Sequence, residues 1–526
     1  MSTSSSAAAS THGTAPRAEI GFLFSRSTSR YWLTRFLILR LLGFVYLIAF
    51  WCAARQLLPL VGRNGLLPAD RYLERAQLQM GSRLEGFLQL PSLFWIDASD
   101  RTLLVTAWAG VGLSLVVLGG YANALIVAVL WALYLSIVHV GQDWYGYGWE
   151  IQLIETGFLG IFLCPLLDGR PFPRSRAPTL VLVLFRWLIF RIMLGAGLIK
   201  MRGDPCWRDL SCLDFHYETQ PIPNPLSRTL HFMPKWFQRG GVLFNHLSEL
   251  VAPWFVFGPR LARHASGGIL LCFQVFLILS GNLSFLNYLT IVPILACFDD
   301  GLLEKMLPGR LCDRARRAEA EAVRCVAQEW VAAGLVVLVA LLSVNPVANL
   351  MSGRQAMNAS FNQLELVNTY GAFGSVGRVR HEIVFQGTMD PIPSETATWK
   401  EYEFVCKPGD PARRPCFIAP YQPRLDWQIW FAAMSGPDRY PWTVHLIWKL
   451  LHGDPGTLSL LASNPFPDAP PRHVRALLFR YRFAPPGNRQ GDWWERERVG
   501  IWIPPLSEDD PRLRRVLQSY GWLDGR

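Results

Sequence analysis

The chain is poor in charge. Only 17 % of its 526 residues are Asp, Glu, Lys or Arg, against about a quarter in ordinary soluble domains. That excludes a highly charged, solvated chain. Catalytic signatures are missing as well. There is no Walker loop to cradle phosphates, no dinucleotide fingerprint, no Ser-centred nucleophile elbow and no His-Glu-x-x-His helix. These absences argue against a conventional hydrolase or nucleotide-driven pump, and no cofactor and no metal is expected. A leader with a basic end and a short apolar stretch is also lacking. Met1 to Ser10 is rich in Ser and Ala and carries no charge, so residues 1–30 are expected to be a disordered cytosolic N-terminus, with the first span as an uncleaved anchor. The net charge is +11, yet no basic stripe interleaved with aromatics appears, so no nucleic acid is expected. Arg collects beside apolar runs instead, as membrane topology requires.

Apolar residues are abundant, and they come in blocks. Hydrophobic residues make up 51 % of the chain and the mean hydropathy is positive. Nine runs read as candidate spans: Phe36–Ala54, Leu103–Gly119, Ala122–Val140, Ile151–Leu167, Thr179–Ile199, Val242–Phe257, Gly268–Gly281, Leu283–Phe298 and Trp330–Asn345. Several fall short of the roughly 20 residues of an ideal span. The pair around Ser280-Gly281-Asn282 reads as two spans or as one broken, re-entrant element. Arg26, Arg30 and Arg35 precede the first span, Arg170, Arg174 and Arg176 follow the fourth, and Arg260 and Arg263 follow the sixth. With the N-terminus inside, nine spans place all three clusters inside. Residues 31–347 are then a multi-pass domain with non-cytosolic loops 55–101 and 201–241. Residues 348–526 form a non-cytosolic domain.

That last piece has another texture. Glu382–Phe385, Tyr402–Cys406, Ala476–Phe483 and Val499–Ile503 have strand composition, while Asp426–Met434 and Trp442–Leu451 read as short helices. The fold class is thus an α-helical polytopic membrane domain of about nine spans, followed by a β-rich α+β soluble domain on the non-cytosolic side. The segment 310–324 mixes charge signs at helical spacing and reads as a solvated helix. No solenoid repeat is visible.

The cysteines sort by side. Cys206 and Cys212 fall in the second outside loop, and Cys406 and Cys416 in the C-terminal domain. Two local disulfides suit an oxidising compartment and would contribute about 2–3 kcal/mol each by loop entropy. The alternative is free thiols at chance spacing. A zinc site lacks further Cys or His nearby.

Three kinds of segment are too dense in aromatics, Pro and charge to be linkers. One is Tyr145-Gly-Tyr-Gly-Trp-Glu150 through Glu155-Thr-Gly157. Another runs from Phe190 through Lys200-Met-Arg-Gly-Asp204 to Cys212-Leu-Asp-Phe-His216-Tyr-Glu218 and Asn224-Pro225, and a third is Phe244-Asn-His-Leu-Ser-Glu249. The C-terminal domain adds Asn368-Thr-Tyr-Gly, Ile418-Ala-Pro-Tyr-Gln-Pro-Arg424-Leu-Asp-Trp427, Asn464-Pro-Phe-Pro467 and Trp493-Trp494. Together these resemble the lipase maturation factor family, over most of the chain. The resemblance implies a multi-pass membrane protein that assists folding, assembly and maturation of secreted clients, which are lipases for the animal members. It places the protein in the endoplasmic reticulum membrane if eukaryotic and in the cytoplasmic membrane if bacterial. The Arg-rich, Lys-poor composition points to a bacterial member. The partners implied are secreted client proteins and the lipid bilayer. A fainter likeness, Gly195-Ala-Gly-Leu-Ile-Lys200 followed by Trp207, is similar to the membrane domain of vitamin K-dependent carboxylases. It implies a membrane enzyme with Lys200 as general base.

Ionisable side chains inside apolar runs are costly and must be paired or functional. Glu155, Arg186, Arg191, His246 and Glu249 form one candidate intramembrane network, in which Glu155 can neutralise either arginine. His246 and Glu249 lie one helical turn apart. Lys200 reads either as a desolvated base or as a lysine snorkelling to the interface. The segment 214–225, stiffened by Pro221, Pro223 and Pro225, is expected to be extended and to dock on the C-terminal domain. Phe215, His216, Tyr217 and Glu218 would meet Tyr421, Arg424, Trp427, Trp493 and Trp494, either as a structural seam or as a client-binding patch.

Overall fold

A computed structural model describes residues 30–488 and 491–523. The expected disordered N-terminus therefore lies, apart from Arg30, outside the described residues. Helices come first. α1 (Trp32–Val61) is followed by the short α2 (Ala69–Met80) and α3 (Arg83–Gln89), then α4 (Asp100–Leu118), α5 (Ala124–Val140), α6 (Gly148–Leu163) and α7 (Thr179–Arg202). A cluster of short helices follows: α8 (Pro205–Arg208), α9 (Leu213–Thr219), α10 (Pro225–His231) and α11 (Lys235–His246). Then come α12 (Arg260–Ser280), α13 (Leu286–Ile294), α14 (Asp300–Leu303), α15 (Gly309–Ala320), α16 (Val326–Leu342) and α17 (Val344–Met351).

Side-chain caps set many boundaries. Ser99 accepts from the Thr102 amide at the start of α4, and Asn123 from the Ile126 amide at the start of α5. The first turn of α1 has no local cap. Instead Asp300, distant in sequence, accepts from the amides of Trp32 and Leu33 at 2.8 and 3.0 Å, so a carboxylate sits at the positive end of the helix dipole.

Four helices are long and apolar enough to cross a membrane: α1, α4, α7 and α12. The pair α16 and α17, bent by 41°, makes a fifth if it counts as one span. Nine regular spans are therefore not found among the described residues, and the reasons are local. Ala124–Val140 stops at 17 residues. The expected span Val242–Phe257 is broken by a π turn at Leu247–Val251 and a 3-10 segment at Ala252–Phe257, where Pro253 cannot donate and Glu249 must reach a partner. The expected Leu283–Phe298 shortens to α13 and one 3-10 turn. At Ser280-Gly281-Asn282 the chain does break. The Asn282 side chain donates to the Cys416 carbonyl at 2.9 Å and accepts from the amides of Ile418 and Ala419, so the C-terminal domain reaches into the gap.

The C-terminal domain holds a four-stranded antiparallel sheet of order β2-β1-β5-β6 and a two-stranded sheet of β3 and β4. The strands are β1 (Arg380–Thr388), β2 (Lys400–Glu401), β3 (Glu403–Phe404), β4 (Leu461–Ser463), β5 (His473–Phe483) and β6 (Trp494–Leu506). The expected Tyr402–Cys406 strand shrinks to two residues. Four more helices complete the domain: α18 (Arg424–Ala432), α19 (Trp442–Leu451), α20 (Pro455–Leu458) and α21 (Pro511–Ser519). β1 is buried along nearly its whole length, while β6 is a sheet edge. One continuous buried cluster runs from Leu33 in α1 to Leu517 in α21. The helices and the sheet domain therefore share a core.

Candidate functional site

The seam between the helices and the C-terminal domain holds the unusual chemistry. Arg424 opens α18 and Glu150 sits in the first turn of α6. Both side chains are fully buried and pair at 2.9 Å. The Arg424 guanidinium also donates to the Trp144 carbonyl at 2.5 Å and lies 3.4 Å above the Tyr145 ring. Tyr134 donates its hydroxyl to the other Glu150 oxygen. Gln56 of α1 accepts from the Arg424 amide and donates to the Gln422 carbonyl. Tyr145 and Glu150 of the dense motif, with Trp144 just before it, thus receive one arginine from the domain.

Five residues along α6, Glu155 pairs with Arg191 of α7. The choice left open by the sequence falls to Arg191. Arg186 instead donates to the Ala296 carbonyl and to the Tyr31 hydroxyl. The pair is completed from the start of the C-terminal region. Arg191 donates to the Asn368 carbonyl at 2.6 Å, while Glu155 accepts from the Asn368 amide at 3.0 Å and the Tyr370 hydroxyl at 2.7 Å.

Lys200 is buried at the end of α7. Its ammonium contacts Glu249 at 2.5 Å and Asn245 at 2.9 Å, 4.9 Å from the Trp207 ring. The reading as a base needs an apolar pocket with few carboxylates, and Lys200 has a carboxylate in direct contact. His246 does not join Glu249. Its ring nitrogen meets the Trp207 carbonyl at 2.9 Å.

A fourth buried charged cluster centres on Glu382 of β1 and was not anticipated from the sequence. Arg380 and Lys407 both pair with Glu382, at 2.5 and 2.6 Å, with all three side chains buried. Arg380 then donates to the carbonyls of Glu218, Gln220 and Pro221. The available signal was Arg380-His-Glu382, two charges with the period of one strand face in an otherwise apolar strand. Without a partner, a strand prefers not to bury them.

The segment 214–225 is not extended throughout. Residues 213–219 form α9, and Pro225 takes the first position of α10, where its missing N–H costs nothing. Residues 220–224 link the two helices through bends at 220–222. Residues of the segment do contact the C-terminal domain: Glu218 accepts from the Phe483 amide at 2.8 Å and the Thr219 carbonyl accepts from the Trp430 indole at 3.1 Å. The aromatics scatter among separate partners. Tyr217 and Phe215 pack around the Cys206–Cys212 disulfide with Val376 and Phe373. Trp427 is set edge-on to Tyr147 and Trp149, Trp494 stacks on Phe483 at 4.3 Å, and Arg228 and Arg414 flank Trp493. Tyr421 is half-buried beside a cavity of about 90 Å³ also lined by Gln56 and Asp426. No single exposed aromatic patch forms from these residues.

Burial dominates three titrating groups of the loop after α7 and the C-terminal domain. It holds the His216 imidazole down to about 4, with the Lys200 ammonium adding to the effect. It holds His445 down to about 4 as well, against the pull of the Leu66 carbonyl. Asp426 is pushed up by burial, although the amides of Cys406 and Lys407 bind its carboxylate. The second disulfide joins Cys406 and Cys416 across a Cα separation of 5.6 Å, and the first spans 4.7 Å. Both separations suit a bridge. Among the described residues no group of three or more His, Cys, Asp or Glu is placed to hold a metal.

A helical membrane region locked by buried ion pairs to a disulfide-bearing sheet domain defines the class: an integral membrane protein whose two parts form one unit. The model of the lipase maturation factor transmembrane domain matches residues 33–305, and that of the lipase maturation factor C-terminal domain matches residues 366–504. The chain is 50 % identical to lipase maturation factor 1 of Bos taurus, over 94 % of this chain and 92 % of that one. It is 49 % identical to lipase maturation factor 1 of Homo sapiens, over 94 % and 91 %, and 29 % identical to lipase maturation factor 2 of Mus musculus, over 91 % and 84 %. The chain belongs to the lipase maturation factor family. No solved structure matches it.

Proposed function

We propose that this protein is a membrane-embedded maturation factor that assists folding and assembly of secreted client proteins, with lipases as the first clients to test. The family membership carries the reading, since the relatives are named for lipase maturation. The C-terminal domain is the part that meets the client, facing the endoplasmic reticulum lumen or, in a bacterium, the periplasm. Supporting that side, the segment after α7 and the C-terminal domain each carry a disulfide, which suits an oxidising compartment. The surface that meets the client lies away from Tyr217, Trp427 and Trp494, which are buried. The carboxylase-like alternative gains no support from the Lys200–Glu249 pair.

The test is coexpression with a dimeric secreted lipase in cells lacking their own maturation factor. Secreted lipase activity should rise with the amount of this protein while lipase synthesis stays constant. Unchanged secretion with the protein abundant in the membrane would reject lipases as clients.

A further inference from the structure

Helix α3 turns the wrong side outward. Leu78 is 83 % exposed, Leu84 67 %, Phe87 43 %, Leu88 60 % and Ile96 81 %. The segment is not loosely attached. Ser82 caps α3 through the Glu85 amide, Gly86 fits so closely on the Trp95 ring that a Cβ would overlap it, and Trp95 donates to the Leu90 carbonyl at 2.9 Å. At about 100° per residue, Leu84 and Leu88 point away from Gly86, with Phe87 beside them. The side of α3 held by the protein is therefore the glycine side, and the side turned out is apolar. That inverts the usual amphipathic arrangement. A rigid, displayed cluster of leucines requires a cover.

The surroundings identify the cover. Residues 91–93 are bonded to the last turn of α5: Ser92 donates to the Ser136 carbonyl at 3.0 Å, the Leu93 amide to the Ser136 hydroxyl at 3.0 Å, and the His139 ring meets the Pro91 carbonyl at 3.0 Å. Ser136 lies four residues from the end of α5, roughly 6 Å along the axis. The segment carrying α3 thus sits level with the end of an apolar helix. That helix has 17 residues, or about 26 Å, against a hydrocarbon layer of about 30 Å. The polar groups between α3 and α4 turn on each other, with Asp97 accepting from Ser99 and Thr102. Two turns into α4 the outward side chains are again apolar, Val105 at 59 % and Trp108 at 47 % exposure.

We propose that the Leu84–Phe87–Leu88 face of α3, with Leu78 and Ile96, lies in the lipid bilayer at the C-terminal end of α5. It fills the depth that the short helix leaves, and exposed Arg75 and Arg83 beside it meet phosphate headgroups. This holds whichever side of the membrane that end faces, and it does not depend on the client.

Spin labels decide it. Labels are attached at Leu88→Cys or Leu84→Cys in a chain with exposed Cys272 and Cys325 replaced by serine. The full protein is reconstituted alone in phosphatidylcholine vesicles. Val105→Cys provides the lipid reference, and Asp509→Cys, whose native side chain is 92 % exposed, the water reference. Relative accessibility to oxygen over a soluble nickel chelate should be several-fold higher at positions 84 and 88 than at 509, and close to that at 105. Exposed leucines leave no cavity when replaced, so the fold is kept. Labels at both positions as open to nickel as the one at 509 would place this face in water, reserve it for a protein partner and overturn the proposal.

Discussion

Replacing Arg424 with leucine tests whether the seam holds the two parts together. In the native protein the Glu150 carboxylate is fully buried with a guanidinium at 2.9 Å and the Tyr134 hydroxyl. Arg424→Leu leaves that carboxylate with no cation. Removing one partner of a buried pair costs about 3–5 kcal/mol, because the other charge stays desolvated. Against a typical total of about 5–15 kcal/mol, that is enough to release the domain. The hydrogen bond to Gln56 is donated by the backbone amide of residue 424 and survives the change, so the loss reports the charge. The assay is limited proteolysis of the full chain in detergent, with cleavage followed between α17 and the first C-terminal contacts at Asn368. Arg424→Leu should be cut much faster there, and adding Glu150→Gln should restore most of the resistance, since the buried charge is gone. A single variant as resistant as the native protein, or a double variant no better than the single, would refute the claim that this pair governs docking.

Two other outcomes follow from the same geometry. His216 and His445 are neutral in the folded state and sit near 4, below the ordinary value of about 6.5. The stability they supply is present above 6.5 and is lost as pH falls toward 4, by about 3 kcal/mol each at the acid end. Unfolding midpoints measured between pH 8 and pH 4 should fall less steeply in His445→Gln than in the native chain. An identical slope would reject the assignment. For Lys200, Lys200→Met alone should reduce abundance by stranding Glu249, while Lys200→Met with Glu249→Gln should recover it with normal client secretion per molecule. A double variant that is abundant yet inactive would instead make Lys200 part of the function.

The sequence made some of this legible and hid the rest for physical reasons. Helices α1, α4, α7 and α12 were visible because apolar length is a local property. The two helices α18 and α19, and the long strands β1, β5 and β6, were visible by period and composition. The span count was not, because a helix held by protein neighbours no longer needs full apolar length. α6 carries Glu150 and Glu155, and α13 stops at Pro293 and a 3-10 turn. The cysteine pairs were legible from their spacing and their sorting along the chain. The role of Asn282 was not: a Ser-Gly-Asn break looks like any turn until Cys416, Ile418 and Ala419, more than a hundred residues away, are seen to bond to it. The helix at 213–219 is hidden in the sequence because Pro221, Pro223 and Pro225 suggest an extended segment, whereas Pro225 only starts the next helix.

The direction of these bonds also constrains how the protein reaches its final form. Glu155 and Arg191 sit on adjacent helices, and either could be buried with the other alone. The pair is not satisfied that way: one carboxylate oxygen accepts from Asn368 and Tyr370, and the guanidinium donates to the Asn368 carbonyl. Glu150 has a hydroxyl from Tyr134 but no cation until Arg424 arrives. The helices alone thus hold two underserved carboxylates at the seam, and a buried polar group left unpaired is expensive. Residues 368–370 and 424 are made after every helix they complete. The helical part therefore stays incompletely stabilised until the C-terminal domain folds onto it, and the domain lacks its Arg424 acceptor until it docks. The two parts are one cooperative unit, so the client-facing surface proposed for the domain would be held at fixed geometry to the helices and not at the end of a flexible tether.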